Sequence, residues 1–505
     1  MSTADAPGAT GPSCPVHRRL VLAICCLSVG VTGINLTIVN VALPSIGKDL
    51  HASVSSLQWT VSAYALVMAC LLMLSGSMAD RFGRKRIFQL GLSLFALGSL
   101  LSGLAPSAGW LIAFVSVQAV GGSMLNPVAM SIIVSVFTDR GERARAIGVW
   151  GSVIGITMAV GPVLGGLLVS GIDWRAVFWI SVPIGIAALV LTQRFVPESK
   201  AARARAFDLP GQVLIVALFA SIIAATIEGP RLGWADPWII GLIVLAVLAL
   251  AGILVVEPRR AEPLIDLRYF RSPPFSGANL ISVVMTAGLG GFLFLNTLYL
   301  QDIRGFSPLR AGLMIIPMAA GQAVAANLSA RLVASRRDRL PLTLGGALLA
   351  VGAFLLVPLT EHTESVYLLA TYAIFGLGAG MVSPPVNHTA VSGLPPDQVG
   401  VAGALAASAR QFGSGIGVAV TGSIVAGTGT GTGTGTGFVH SSHTAWAVLG
   451  ACGLATLALG VISTSSWAKA AAVRNGQQLA AASIPESRGH PAPSRFADPI
   501  EARKE

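Results

Sequence analysis

The polar residues inside the apolar runs of this chain are mostly amides: Asn35, Asn40, Gln118, Asn126, Asn296, Gln322 and Gln411, joined by one cation, Arg410. Amides donate and accept hydrogen bonds but do not exchange protons near neutral pH. Such a set can grip a small molecule without breaking a bond in it. Each amide also has a plainer reading, as a hydrogen bond between packed helices. Arg410 differs, because a cation in an apolar span costs about 2.5–3.5 kcal/mol on insertion scales. A cavity-facing or carbonyl-bound guanidinium is expected there. The groups able to carry a proton lie at the ends of apolar runs. Asp208 and Glu228 flank one run, Asp236 begins the next, Asp302 follows another, and His388 sits near the end of a fourth. No nucleophile–base pair or phosphate loop stands in the sequence, and Cys14, Cys25, Cys26, Cys70 and Cys452 have no metal-type spacing. An enzyme, a bound metal and a resident cofactor are therefore not expected.

A second group is compact: Gly76, Asp80, Arg81, Gly83, Arg84 and Lys85 form one short turn between two apolar runs. Gly83 permits a tight reversal, and Asp80 can pair with an arginine or cap a helix. A dense cationic turn between membrane-length runs reads as a cytoplasmic loop.

These groups must be held by helices that cross a membrane. Hydrophobic residues make up 53% of the 505 and charged residues 11%, with a mean hydropathy of +0.74. A soluble domain carries about 25% charged residues, so lipid must cover much of this surface. The net charge of +11 belongs to loop arginines facing anionic lipid, not to a nucleic-acid site. A crossing needs about 20 apolar residues. Runs of that kind lie near 20–43, 56–78, 87–106, 109–134, 144–170, 177–196, 209–228, 237–257, 276–300, 310–334, 341–360, 366–389, 398–426 and 443–467. Arg18 and Arg19 precede the first run, and no small-residue cleavage site closes it, so it reads as a helix and not as a cleaved signal. An even number of spans puts both termini on one side. Only Lys48, Arg175, Arg231, Arg304 and Arg310 fall on the other side, which makes the terminal side cytoplasmic.

Motifs in chain order resemble those of the Major Facilitator Superfamily, in particular its fourteen-helix drug–proton antiporter group. Leu36 to Pro44 is similar to the group's first-helix signature, and the turn from Gly76 to Arg86 to its cytoplasmic loop. Gly151, Gly155, Gly161, Pro162, Gly165 and Gly166 resemble the fifth-helix signature of antiporters. Trp174 to Gly185, Tyr299 to Pro317, Gly376 to Pro385 and Arg410 to Gly413 extend the match along nearly the whole chain. Two positions depart from the pattern. Asn35 stands where the family usually has an aspartate, and Val115 where it usually has an arginine, both associated with proton handling.

The resemblance implies an all-α integral membrane fold with fourteen transmembrane helices arranged 6+2+6. The expected divisions are a cytoplasmic tail over 1–19, a six-helix half over 20–196, a linker with two extra helices over 197–275, and a second six-helix half over 276–467. That half contains a Gly/Thr loop at 427–437, and 468–505 reads as a disordered cytoplasmic tail. The implied function is export of a small, partly apolar antibiotic, drug or secondary metabolite by alternating access. The implied energy source is the proton gradient, with Asp208, Glu228 and His388 as the remaining candidate proton sites. The turn would act as a cytoplasmic latch, and the amides and Arg410 would line a cavity favouring neutral or anionic cargo. A monomer in a cell membrane is expected. The excess of arginine over lysine points to a GC-rich bacterial source. The missing aspartate keeps a uniporter or importer open, and a receptor that moves nothing is the reading from another class.

Overall fold

A computed structural model describes residues 15–200, 208–260, 263–335, 338–391, 399–426 and 435–483. Every regular element among them is helical. The first part holds α1 (Pro15–Asp49), α2 (Val54–Phe82), α3 (Arg84–Ser102), α4 (Ala108–Val136), α5 (Arg140–Gly171), α6 (Ala176–Trp179) and α7 (Ser181–Phe195). A hairpin of α8 (Leu209–Leu232) and α9 (Pro237–Val256) follows. The last part holds α10 (Pro273–Leu298), α11 (Pro308–Met314), α12 (Ile316–Ala334), α13 (Arg339–Phe354), α14 (Ser365–Val391), α15 (Val399–Ala426), α16 (Gly435–Ser463) and α17 (Ser466–Ser483).

Local chemistry sets many of the ends. Ser53, Asp139, Asp208, Asp236 and Ser307 each accept a backbone N–H in the first turn of the helix that follows. Eleven helical segments among the described residues are long and apolar enough to cross a membrane. The runs expected near 87–106, 341–360 and 398–426 form α3, α13 and α15, which fall short of that standard. Residues 468–483, expected in a disordered tail, continue as α17, where Asn475 donates to the Arg268 carbonyl at 3.2 Å. The expectations for 1–14, 427–434 and 484–505 lie outside the described residues.

Two apolar cores organise the molecule. One is drawn from residues 21–196, including Phe88, Phe95, Leu125 and Ile133. The other is drawn from residues 278–449 and centres on Phe292, which stacks on Phe375 at 4.5 Å and meets Trp446 edge-on at 5.7 Å. A third core crosses between them, joining Ile38, Leu57 and Tyr64 to Phe294, Leu298 and Val418. The halves meet firmly on the face away from the termini. There Gln58 donates to the Ala419 carbonyl (2.8 Å), Ser62 to that of Gly415 (3.1 Å) and Gln301 to that of Val41 (2.9 Å), and Lys48 pairs with Asp302 (3.4 Å). On the terminal face, among the described residues, Met73 of the first half joins a small apolar cluster with Tyr269, Phe275, Ala402 and Leu405.

The α8–α9 hairpin lies across that seam. Gln212 of α8 donates to the Cys70 carbonyl of α2 at 2.8 Å, and Ile223 and Ile227 pack with Ala419 of α15. By contrast α9 leaves Ile243, Val247, Leu248 and Leu254 exposed. Side chains this apolar in a continuous band are covered by hydrocarbon, not water.

A candidate substrate cavity and the turn that flanks it

A small cavity sits on the seam, lined by Asn35, Asn40 and Tyr64 from the first half and Gly290 and Ser414 from the second. Close backbone approach builds its far wall. A Cβ on Gly290 would lie 2.6 Å from the Ser414 carbonyl oxygen, so only glycine lets α10 meet α15 there. The lining contains no carboxylate.

Asn35 and Gln118, each fully buried, form a reciprocal amide pair. Asn35 Nδ2 donates to Gln118 Oε1 at 3.4 Å, and Gln118 Nε2 donates to Asn35 Oδ1 at 3.2 Å and to Ser99 Oγ at 2.5 Å. This neutral ring of bonds occupies the place where an aspartate would bring a charge. Asn40 Nδ2 donates to the Leu36 carbonyl, but its Oδ1 is buried with no partner among the described residues. An unpaired buried acceptor is costly, and this one belongs to a residue lining a cavity that a ligand can fill.

The other expected contacts are spread more widely. Arg410 is half-buried and donates from Nη1 to Asn387 Oδ1 at 3.0 Å, while its carbonyl accepts from Thr286 at 2.8 Å. It lies outside the lining, four residues before Ser414 on the same face of α15 and so one turn toward the terminal side. Asn126 lies two turns along α4 from Gln118, half-buried, with an unpaired Oδ1. Asn296 is fully buried inside the second core and accepts from the Tyr372 hydroxyl; it is a packing bond and does not line the cavity. Gln322 and Gln411 are half-buried on α12 and α15 and also lie outside the lining.

The candidate proton sites are similarly scattered. Glu228 is at the far end of α8, held by Trp59 Nε1 (2.9 Å), Ser55 Oγ (3.2 Å) and Arg231 Nε (2.7 Å). His388 is a mostly exposed residue 3.6 Å from Asp338. Asp208 caps α8 at its terminal-side end and is almost fully buried.

The expected latch is a tightly organised turn. Gly83 has φ +112°, and a Cβ there would lie 2.6 Å from Glu198 Oε1. Arg84 pairs with Asp80 at 3.1 Å and its Nη1 reaches the Ser131 carbonyl at 3.5 Å. The Lys85 backbone N–H donates to Glu198 Oε1 at 3.1 Å, and its Nζ to the Gln193 carbonyl at 2.8 Å. Arg81 is exposed, and nothing would meet a Cβ on Gly76. The turn thus clamps α2 and α3 to α4 and to the end of α7, all in one half. Glu198, its central acceptor, was absent from the sequence reading. It lies 113 residues from Lys85 in an unremarkable loop.

The fifth-helix motif divides in two. A Cβ on Gly161 or Gly165 would strike Thr37 or Ile38 of α1, and one on Gly166 would lie 2.7 Å from the Pro308 carbonyl oxygen. Pro162 lies inside this stretch and removes one helix hydrogen bond, and its carbonyl oxygen lies 2.3 Å from where a Cβ on Gly312 would sit. Gly151 and Gly155 meet nothing, and Val149 and Ile156 beside them are exposed. The glycines of the far half of α5 are therefore closely covered and those of its terminal half are not, although Ala146, Ile147, Trp150 and Ile154 of that half pack on the first core.

Comparison with known proteins agrees with this architecture. Residues 25–418 match the model of the Major Facilitator Superfamily. The chain is 35% identical to the multidrug resistance protein Stp of Mycobacterium tuberculosis, over 81% of this chain and 77% of that one. It is 34% identical to the tetracenomycin C resistance and export protein of Streptomyces glaucescens (82% and 78% covered). It is 38% identical to the puromycin resistance protein pur8 of Streptomyces alboniger (77% and 78%). In fold it is similar to a D-xylose–proton symporter, with TM-score 0.64 and 16% identity, over 88% of this chain and 97% of that one. It is also similar to an inward-facing, occupied bacterial homologue of the lysosomal transporter Spinster, with TM-score 0.62 and 19% identity, over 95% and 100%. With the family model spanning most of its length and its helices forming two packed halves about a central cavity, the chain belongs to the Major Facilitator Superfamily.

Proposed function

We propose that this protein exports antibiotics or related small, partly apolar compounds across a bacterial cell membrane by alternating access. The observation that carries the reading is the cavity on the seam, lined by both halves and holding the unpaired acceptor of Asn40. The names of the relatives, several of them resistance or efflux proteins, set the class of cargo. Both termini face the cytoplasm in this reading, by the arginine bias of the loops. The close contacts between the halves on the far face, with Gly151 and Gly155 facing open space on the terminal side, support an inward-facing state. The Asp80–Arg84 turn rigidifies one half so that it moves as a body. A monomer suffices, since one chain supplies the whole cavity.

Cargo is neutral or anionic. A cationic drug would meet no carboxylate in the lining and would approach Arg410. Like charges at 4 Å cost about 4 kcal/mol at an effective dielectric near 20. The proton gradient is the energy source in this reading. The Asn35–Gln118 pair supports a second one, passive facilitation, because the cavity lining holds no carboxylate or imidazole to cycle a proton. Flux into inside-out proteoliposomes separates the alternatives. Neutral and carboxylate-bearing antibiotics should accumulate, and ethidium-like cations should not until Arg410 is replaced by glutamine. No flux of any compound would leave a receptor. Robust ethidium flux in the unaltered protein would overturn the charge argument.

A further inference from the structure

Glu257, one residue beyond α9, is 1% exposed. It faces Asp208, whose side chain is 3% exposed, across the first turn of α8. Glu257 Oε1 and Asp208 Oδ2 lie 2.3 and 2.6 Å from the point a Cβ on Gly211 would occupy, so the two carboxyl groups share the space that this glycine leaves open. Their remaining bonds are few. Asp208 accepts from the N–H groups of Gly211 (3.1 Å) and Leu264 (3.2 Å). Glu257 Oε2 accepts from the Ile265 N–H (3.2 Å), and its Oε1 is buried with no partner among the described residues.

Among the described residues, the charged groups around the pair offer it one long ion pair and no second cation. Arg260 reaches only to 3.9 Å from Asp208 Oδ1 and is itself exposed. Arg259 turns back to the Val255 carbonyl, Asp266 and Arg268 pair with each other at 2.7 Å, and Arg271 is exposed. The elements packed on the hairpin here, α2 and α15, present Cys70, Met73, Ala402 and Leu405. Burial raises the affinity of Glu257 for a proton, and two ionised carboxylates held together in so dry a place would repel. The orphan Oε1 is where such a proton satisfies the geometry.

The backbone that completes this site also closes the terminal face. Leu264 and Ile265, whose N–H groups bond the two carboxyls, pack their side chains onto the cluster of Met73 from α2 with Ala402 and Leu405 from α15. We infer that Asp208 and Glu257 share one proton, and that its loss loosens the segment at 264–265 from the seam between the two halves. The step is an acid dissociation. An O–H bond breaks, the proton passes to water on the terminal side, and the pair is left with two negative charges that push α8 and α9 apart at their bases. The hairpin thereby reports proton occupancy to the gate. The gating clause rests on the transport reading above, but the shared proton does not.

The test uses the full chain in lipid nanodiscs and needs no cargo. Infrared spectroscopy across roughly pH 5 to 9 should find the carbonyl stretch of a buried carboxylic acid at neutral pH, lost as pH rises. The band should vanish at neutral pH in Glu257→Gln and in Asp208→Asn. Its absence from the unaltered protein, or its persistence in both variants, would overturn the shared proton. So would a midpoint that moves with sodium or potassium at constant ionic strength, which would assign a metal cation instead. Spin labels at Phe82→Cys and Gly400→Cys, in a background with the native cysteines replaced by alanine, read the seam. Their separation should lengthen with the same midpoint and stay short in Glu257→Gln. A titrating band with an unmoved distance would refute the gate and leave transport itself untouched.

Discussion

Replacing Gly83 with alanine should stop turnover without emptying the substrate site. The residue sits at φ +112° and ψ 135°, a conformation that side chains rarely adopt and that costs about 1–3 kcal/mol when forced. The new methyl would also lie 2.6 Å from Glu198 Oε1 and displace it. That carboxylate accepts the N–H groups of Lys85 and Ser199 at 3.1 and 3.0 Å. It is about a third exposed, so water replaces part of what is lost, leaving about 0.5–1.5 kcal/mol per bond. The total is about 2–6 kcal/mol against the closed turn, enough to lower its population at least tenfold. The cavity is lined by other residues, so affinity for cargo should be unchanged. Transport in proteoliposomes and equilibrium binding in detergent measure the two effects separately. Gly151→Ala is the control, since its Cβ meets nothing within 4 Å. Glu198→Ala, which loses the acceptor but not the glycine conformation, should fall between the two. Normal transport by Gly83→Ala, or equal damage from Gly151→Ala, would refute the reasoning.

Asp80→Asn removes the charge that holds Arg84 at 3.1 Å and should slow transport while binding and expression persist; unchanged flux would remove Asp80 from the gate. Gly166→Leu should wedge α5 from Leu309 and hold the far face apart, read as faster labelling of a cysteine placed at the buried Thr60. Asn35→Asp puts an ionisable group against Gln118, and the dependence of flux on the pH gradient should then steepen; an unchanged dependence would separate this position from proton coupling. Single cysteines at the exposed residues Trp234 and Val473 should react from opposite sides of the membrane, and reaction from one side would end the proposed topology.

Helices were legible in the sequence because apolar length and loop charge are local properties. The turn at Gly83 was legible for the same reason: a glycine, an aspartate and three cations stand within a few residues. Its acceptor was not, because Glu198 becomes informative only when α7 ends beside α3. Asn35 and Gln118 were both singled out, yet their mutual pairing joins helices 83 residues apart. Asn296 looked like its neighbours in composition and turned out to be bonded inside a core, a difference that depends on which face of α10 it occupies. Glu257 escaped notice because a charge at the end of a span ordinarily meets headgroups and water. Only the fold places it under Leu264 and Ile265 beside Asp208. The helix at 466–483 was hidden by an alanine-rich composition that suits a loose tail as well as a docked one.

The uneven coverage of α9 and α10 implies two rules of substitution within one chain. Only 22% of the most apolar window of α9 is buried against protein, compared with 78% for α10. Acyl chains conform to any aliphatic profile, so a valine, leucine or isoleucine at Val247 or Leu248 leaves the free energy nearly unchanged. Neutral drift can scramble the order of α9 while preserving its oiliness. The same exchanges at Phe292 or Phe294, fully enclosed by neighbours, would open voids or clashes worth several times as much, about 3–5 kcal/mol for loss of a ring. A saturation-mutagenesis map should therefore show α9 tolerating aliphatic exchange and rejecting charge, and α10 rejecting both.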